Sequence, residues 1–254
     1  MTNAVYLTTT EPYSGKSIIS LGLVNLLSAK TEKIAYFKPV ISGNGSQLDG
    51  RLELIRSHFH LPVSYEDMFV FPGSEVVRQL NAGNEAYLID TIIERFKRLQ
   101  ETHDFVVVEG TDFIGSTANV EYDGNITIAR NLGIPAAIIV KGEGKTAQEI
   151  VDIAVSTTRS FNTDGVPVLT VIANRIDPEA ADEIKEALSR ALPREVIATC
   201  IPADTELASP TMKEIFTSVG GEVLFGEHLL SNHVDSSIVG AMQLHNCLSR
   251  LTRN

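Results

Sequence analysis

Thr9-Thr10-Glu11-Pro12-Tyr13-Ser14-Gly15-Lys16-Ser17 is the stretch whose reading decides the fold. It stands between an apolar run, Ala4–Thr8, and a segment of helical period, Lys16–Ala29, with Ile19, Leu23, Leu26 and Leu27 on one face. A strand, a short loop and a helix opened by Gly-Lys-Ser make a phosphate-binding loop. Gly15 permits close backbone approach, Lys16 reaches the outer phosphates, and Ser17 offers its hydroxyl to Mg²⁺. The helix that starts there adds its dipole and its unpaired N–H groups. The loop is thus expected to hold ATP, with Thr10, Glu11, Tyr13, Ser14, Gly15, Lys16 and Ser17 in contact. Thr9 or Thr10 stands where such loops usually begin with glycine, and Pro12 removes one N–H donor.

Outward from this loop, Val/Ile-rich runs alternate with helix-period segments. Ile34–Phe37, Phe105–Val108, Ala136–Val140, Val168–Ala173 and Val196–Ile201 read as strands; Glu85–Thr102, Thr146–Phe161 and Glu179–Leu192 read as helices. Continuous apolar runs, rather than polar/apolar alternation, mark strands buried on both faces. The expected fold class is α/β, a three-layer parallel sheet with helices on both faces. After about residue 205 the pattern changes to a short helix, Pro210–Ser218, and an amphipathic helix, Ile238–Leu251. The expected division is a domain over 1–232 and a tail over 233–254. That tail is either a C-terminal helix or the start of another domain.

Ligands of parallel sheets bind at the carboxyl ends of strands, where this chain's polar motifs fall. Val106-Val107-Val108-Glu109 ends an apolar strand on a carboxylate, as expected of an acid that completes a Mg²⁺ site. A buried carboxylate needs a cationic partner, a metal or a raised pKa. Lys38, before the ladder-breaking Pro39, reads either as a second cation at the phosphate site or as a solvated lysine. Asp49 reads either as a further metal-facing oxygen or as the cap of a helix starting near Gly50. Asn174 offers a donor and an acceptor suited to a purine edge, and equally suits a turn.

The net charge of −11 argues against nucleic acid or an anionic membrane as partner. No apolar run approaches the ~20 residues of a membrane helix. No charged leader precedes the first strand, so a cytoplasmic location is expected. Cys200 and Cys247 are far apart and are not expected to pair, and the six histidines show no metal-ligand spacing.

The loop, Tyr36-Phe37-Lys38-Pro39-Val40, Asp49, Val108-Glu109-Gly110 and Ala173-Asn174 together resemble the dethiobiotin synthetase family of P-loop proteins over roughly residues 4–205. The resemblance implies that Lys16 and Ser17 hold ATP and Mg²⁺, and that Lys38 contacts the substrate carbamate and γ-phosphate. It also implies that Asp49 and Glu109 complete the metal site and that Asn174 reads adenine. Thr111-Asp112-Phe113 departs from the small, glycine-rich segment that binds substrate in that family, which counts against the ligase chemistry. The loop, Gly22-Leu23-Val24-Asn25-Leu26-Leu27 and Val239-Gly240-Ala241-Met242 are similar to the N-terminal domain of long-form bacterial phosphate acetyltransferases and the DRTGG-type domain after it. That likeness implies a regulatory domain that responds to a nucleotide or metabolite, contacts other domains of its parent enzyme and forms a homo-oligomer. The alternative is an ATP- and Mg²⁺-dependent ligase of the dethiobiotin synthetase or cobyrinic acid amidation type, with Lys16 and Lys38 as its catalytic residues. A partition-ATPase reading fares poorly, because Glu11 occupies the place of that group's early lysine.

Overall fold

Every residue of β1 (Ala4–Thr9) is buried, and since successive side chains leave a strand on opposite faces, both faces of this strand are covered. The same holds for β2 (Ile34–Phe37) and for most of β5 (Phe105–Glu109) and β6 (Ala136–Lys141). In the computed structural model these strands, with β7 (Val168–Ile176) and β8 (Ile197–Pro202), form one six-stranded parallel sheet in the order β2-β5-β1-β6-β7-β8. Residues 3–43, 45, 48–111, 118–204, 209–234 and 241 are described, with the backbone alone for 118–122. A separate parallel pair, β3 (Val40–Ile41) and β4 (Phe71–Pro72), follows the turn at Pro39.

The helices around the sheet are α1 (Lys16–Ser28), α2 (Gly50–Phe59), α4 (Glu85–Thr102), α5 (Ala118–Leu132), α6 (Ala147–Thr163) and α7 (Ala181–Ala191), while α3 (Gly73–Asn81) packs on the β3–β4 pair and α4. They give the three-layer α/β architecture expected from the runs of Val and Ile. In α4, Leu88, Ile92, Phe96 and Leu99 are buried at helical spacing, as the periodicity predicts. On α1 the expected residues Ile19, Leu23 and Leu27 pack against the core, joined there by Ser20 and Val24, while Leu26 is exposed. Helix α6 begins with a reciprocal cap between Thr146 and Glu149.

Strand β8 departs from the expected buried run. It lies at the edge of the sheet, and Ile197 and Ile201 are exposed. The sequence shows its apolar run but not its place in the strand order.

The chain divides into two compact units, Met1–Ala203 and Asp204–Asn254. In the second, α8 (Met212–Val219) has a reciprocal Thr211–Glu214 cap at its start and left-handed Gly220 at its end. Thr211 also pairs with His233 in an antiparallel bridge. The expected boundary at 232/233 falls inside this unit, and apart from Ala241 the expected helix Ile238–Leu251 lies outside the described residues.

Candidate functional site

The phosphate-loop sequence leaves β1 at Thr9 and enters α1 at Lys16, at the carboxyl end of a central strand. Two residues of this loop adopt left-handed backbone, Tyr13 at φ 58° and Gly15 at φ 83°. Gly15 is the N-cap of α1. A Cβ there would stand 2.2 Å from Asn174 Nδ2, so glycine is required twice over, by conformation and by space. Asn174 Nδ2 donates to the Ser14 carbonyl at 2.8 Å, and Ser14 Oγ donates to the Glu11 carbonyl at 2.5 Å. The Glu11 carboxylate pairs with Lys145 at 2.7 Å. The loop is thereby tied to β7 and to the turn before α6. Tyr13 is exposed, and Ser17 is half-buried in the first turn of α1.

Asn174 lies within β7 rather than after it, and its side chain is buried against the loop backbone. The next residue, Arg175, has φ 57°, and the pairing of β7 with β8 shifts register between Asn174 and Ile176.

Glu109 ends β5 beside Leu7 of β1, and it is completely buried. Its partners converge from α1, α2, β2 and the turn after β2. Arg51 Nη1, from α2, donates to Oε1 at 2.7 Å. Lys38 Nζ stands 3.7 Å and Lys16 Nζ 3.9 Å from the same oxygen. Ser20 Oγ, from α1, donates to Oε2 at 3.1 Å, and the Tyr36 hydroxyl, from β2, also donates to Oε2. Lys16 donates to the Gly110 and Thr111 carbonyls as well. Lys38 is buried and pairs with Asp49 Oδ2 at 3.1 Å, so the solvated-lysine reading fails.

Asp49 does what its capping reading required, since Oδ1 accepts from the Arg51 and Leu52 N–H groups at the start of α2. Burial is the largest influence on its carboxyl and pushes the pKa up. The Lys38 charge and hydrogen bond, with the two amides, outweigh burial and hold the group below the usual carboxylate range. Tyr36 is raised well above an ordinary phenol, first by burial and then by the charge and hydrogen bond of Glu109. Tyr6 is raised by burial and, secondarily, by the Glu109 charge.

These contacts decide how the expected Mg²⁺ set fits. Both oxygens of Glu109 and both of Asp49 already accept from protein donors, two of them side-chain cations, and Lys16 and Lys38 add ion pairs to Glu109 at 3.9 and 3.7 Å. Among the described residues no group of three His, Cys, Asp or Glu side chains converges as a metal cage. As arranged, Ser17, Asp49 and Glu109 do not fit a divalent ion.

The structure brings Lys16, Lys38, Asp49 and Glu109 together and places Asn174 on the loop. Sequence reasoning assigned no role to Arg51, Ser20, Tyr36, Tyr6 or Asn125. Tyr36 carried a usable signal, because a tyrosine in an apolar strand, two residues before Lys38 and so on its face, needs a buried partner for its hydroxyl.

Among the described residues no helix is long and apolar enough to cross a membrane. The family model described as "AAA domain" matches residues 3–211. The phosphate acetyltransferase of Nitratidesulfovibrio vulgaris is 33% identical over 260 residues, covering 100% of this chain and 37% of that protein. That of Synechocystis sp. is 34% identical over 251 residues, covering 98% of this chain and 36% of that protein. The chain therefore spans little more than a third of the phosphate acetyltransferases it matches. The ATP-dependent dethiobiotin synthetase of Bacillus subtilis is 21% identical over 238 residues, covering 92% of this chain and 96% of that protein. Among solved structures, chloroplast FtsY from Physcomitrella patens superposes with a TM-score of 0.50 at 12% identity, over 79% of this chain and 58% of that one, a likeness of fold alone. With its loop, its parallel sheet and a match over most of its length, the chain belongs to the AAA domain family, in the P-loop form similar to dethiobiotin synthetase and to part of phosphate acetyltransferase.

Proposed function

We propose that this chain is a nucleotide-binding regulatory domain of a phosphate acetyltransferase, acting in the cytoplasm within a larger homo-oligomeric enzyme. The parent would convert acetyl-CoA and phosphate to acetyl phosphate and CoA. The observation that carries the reading is the convergence of Lys16 and Lys38 on Glu109 beside the phosphate loop. Two buried ammonium groups held beside a helix N-terminus form a receptor for phosphate oxygens. On binding, Lys16 would exchange the Gly110 and Thr111 carbonyls for those oxygens, while Asn174 keeps the loop shaped around them. Identity of 33–34% to phosphate acetyltransferases over nearly the whole chain supports the assignment to such a parent enzyme. Adenine contact by Asn174 belongs to this proposal and requires its amide to serve the base as well as Ser14.

Calorimetric titration with ATP tests the reading. Wild-type protein is expected to bind, and Lys16→Ala to bind about tenfold more weakly or not at all. Equal affinity in the two proteins would refute it. The chain by itself is expected to form no acetyl phosphate.

A second reading, an ATP-dependent ligase, is favoured by the 96% coverage of dethiobiotin synthetase and by the burial of Lys38. In it Lys16 and Lys38 stabilise charge developing on a transferred phosphoryl group. ATP turnover that depends on a diamine and bicarbonate would select this reading over the first.

A further inference from the structure

Arg51 holds both of the acids expected to bind a metal. Its backbone N–H donates to Asp49 Oδ1 at 3.0 Å, and its guanidinium donates to Glu109 Oε1 at 2.7 Å. The two acids come from different parts of the chain, one capping α2 and one ending β5. A single residue on the first turn of α2 bridges them.

A divalent ion such as Mg²⁺ takes oxygen ligands at ~2.0–2.1 Å and demands near-octahedral geometry. Glu109 Oε1 offers it no such approach while the guanidinium is in contact. Oε2 is engaged by the Ser20 and Tyr36 hydroxyls. A guanidinium keeps its proton at any working pH, so the block cannot be lifted by deprotonation. It is also the side-chain cation whose planar fork matches phosphate. Replacing a metal ion by Arg51 therefore leaves a positive partner for a phosphate group in the same place.

We propose that the Arg51 guanidinium at Glu109, together with the Lys38 ammonium that reaches both Glu109 and Asp49, stands in for the divalent metal ion, so that this site binds a nucleoside triphosphate without a metal. A metal ion enters Glu109 only by displacing the guanidinium. The inference rests on the nucleotide-binding reading for its ligand, but not for its geometry, which concerns the two carboxylates with Arg51 and Lys38.

The test has two arms on the full chain. In the first, Mn²⁺ is titrated into protein without nucleotide, and the free ion is followed by electron paramagnetic resonance. Wild type is expected to leave the ion free. Arg51→Ala is expected to bind one ion per chain at least about tenfold more tightly. That gain should vanish in Arg51→Ala/Glu109→Gln, which assigns it to this site. In the second arm, ATP affinity is compared in Mg²⁺ and in EDTA. Wild type is expected to differ by less than about threefold, and Arg51→Ala to lose about tenfold in EDTA relative to Mg²⁺. Tight Mn²⁺ binding by wild type, or no gain in a folded Arg51→Ala, overturns the proposal. Should Arg51→Ala fail to fold, Arg51→Gln replaces it, and the wild-type Mn²⁺ titration alone still overturns the idea if the ion binds. Absence of ATP binding in both buffers overturns the nucleotide reading, while the Mn²⁺ arm still decides the role of Arg51.

Discussion

The Tyr6 hydroxyl on β1 donates to Asn125 Oδ1 on α5 at 2.7 Å, and both residues are buried. The same oxygen accepts from Thr111 N at 2.9 Å and Thr111 Oγ1 at 3.2 Å. Three donors on one amide oxygen fix the amide's orientation and leave Asn125 Nδ2 buried with no partner among the described residues. The pair therefore fastens α5 and the turn after β5 to the central strand, directly behind Glu109. Tyr6→Phe removes one of three donors and is expected to cost about 1 kcal/mol. Asn125→Ala strands the Tyr6 hydroxyl and the Thr111 amide and should cost about 2–3 kcal/mol. Urea unfolding of the two variants checks the order, and an Asn125→Ala loss no larger than that of Tyr6→Phe would contradict the arrangement.

Gly15→Ala should abolish ATP binding while leaving the far-UV circular dichroism unchanged. The new Cβ would meet Asn174 Nδ2 at 2.2 Å in a backbone conformation at φ 83° that alanine resists. The clash falls on the tie that shapes the loop, not on the core. Calorimetry on the folded variant reads the outcome.

The lowered pKa of Asp49 predicts a pH-dependent contribution to stability. A carboxyl whose folded pKa lies below its ordinary value of 3.8 stabilises the fold above that value, and the contribution is lost as pH falls through the folded pKa. Asp49→Asn keeps a capping oxygen but removes the charge beside Lys38. It should therefore be less stable than wild type at pH 7, with the gap closing below about pH 3.8. Denaturant midpoints across this range decide it, and a gap constant with pH would count against the Lys38 pairing.

Removing residues 204–254 should leave the first unit folded, because among the described residues every member of the buried apolar cluster lies between Ala4 and Val196. The expected change in melting temperature of that unit is less than about 4 °C. A truncated chain that fails to melt cooperatively would place residues 204–254 within the same folding unit.

The fold was legible because buried parallel strands announce themselves as continuous apolar runs, and Gly15-Lys16-Ser17 fixes where the first βα junction falls. Lys38 and Glu109 were legible as charged residues at strand ends that need partners, Lys16 as part of Gly-Lys-Ser, and Asp49 as a cap or ligand at the start of a helix. Arg51 and Ser20 were not. Each looks like an ordinary helix residue until the helix is rotated and docked, and only the strand order brings α1, α2, β2 and β5 around one carboxylate. The paired readings of Asp49 and Asn174 shared a cause. A short polar side chain at a strand end serves a helix cap, a loop or a ligand equally well, and local sequence does not rank them.

The hydrogen bond from Asn174 to Ser14 joins residues 160 positions apart. At a synthesis rate of about 5–20 residues per second, the loop waits roughly 10–30 s before the residue that shapes it exists. During that interval the first βα unit has no β7 to lean on. The nascent chain therefore passes through a period in which the loop waits on a strand made much later. On the nucleotide-binding reading, capture is expected only once β7 has joined the sheet, so binding that appears during translation would date the docking of β7.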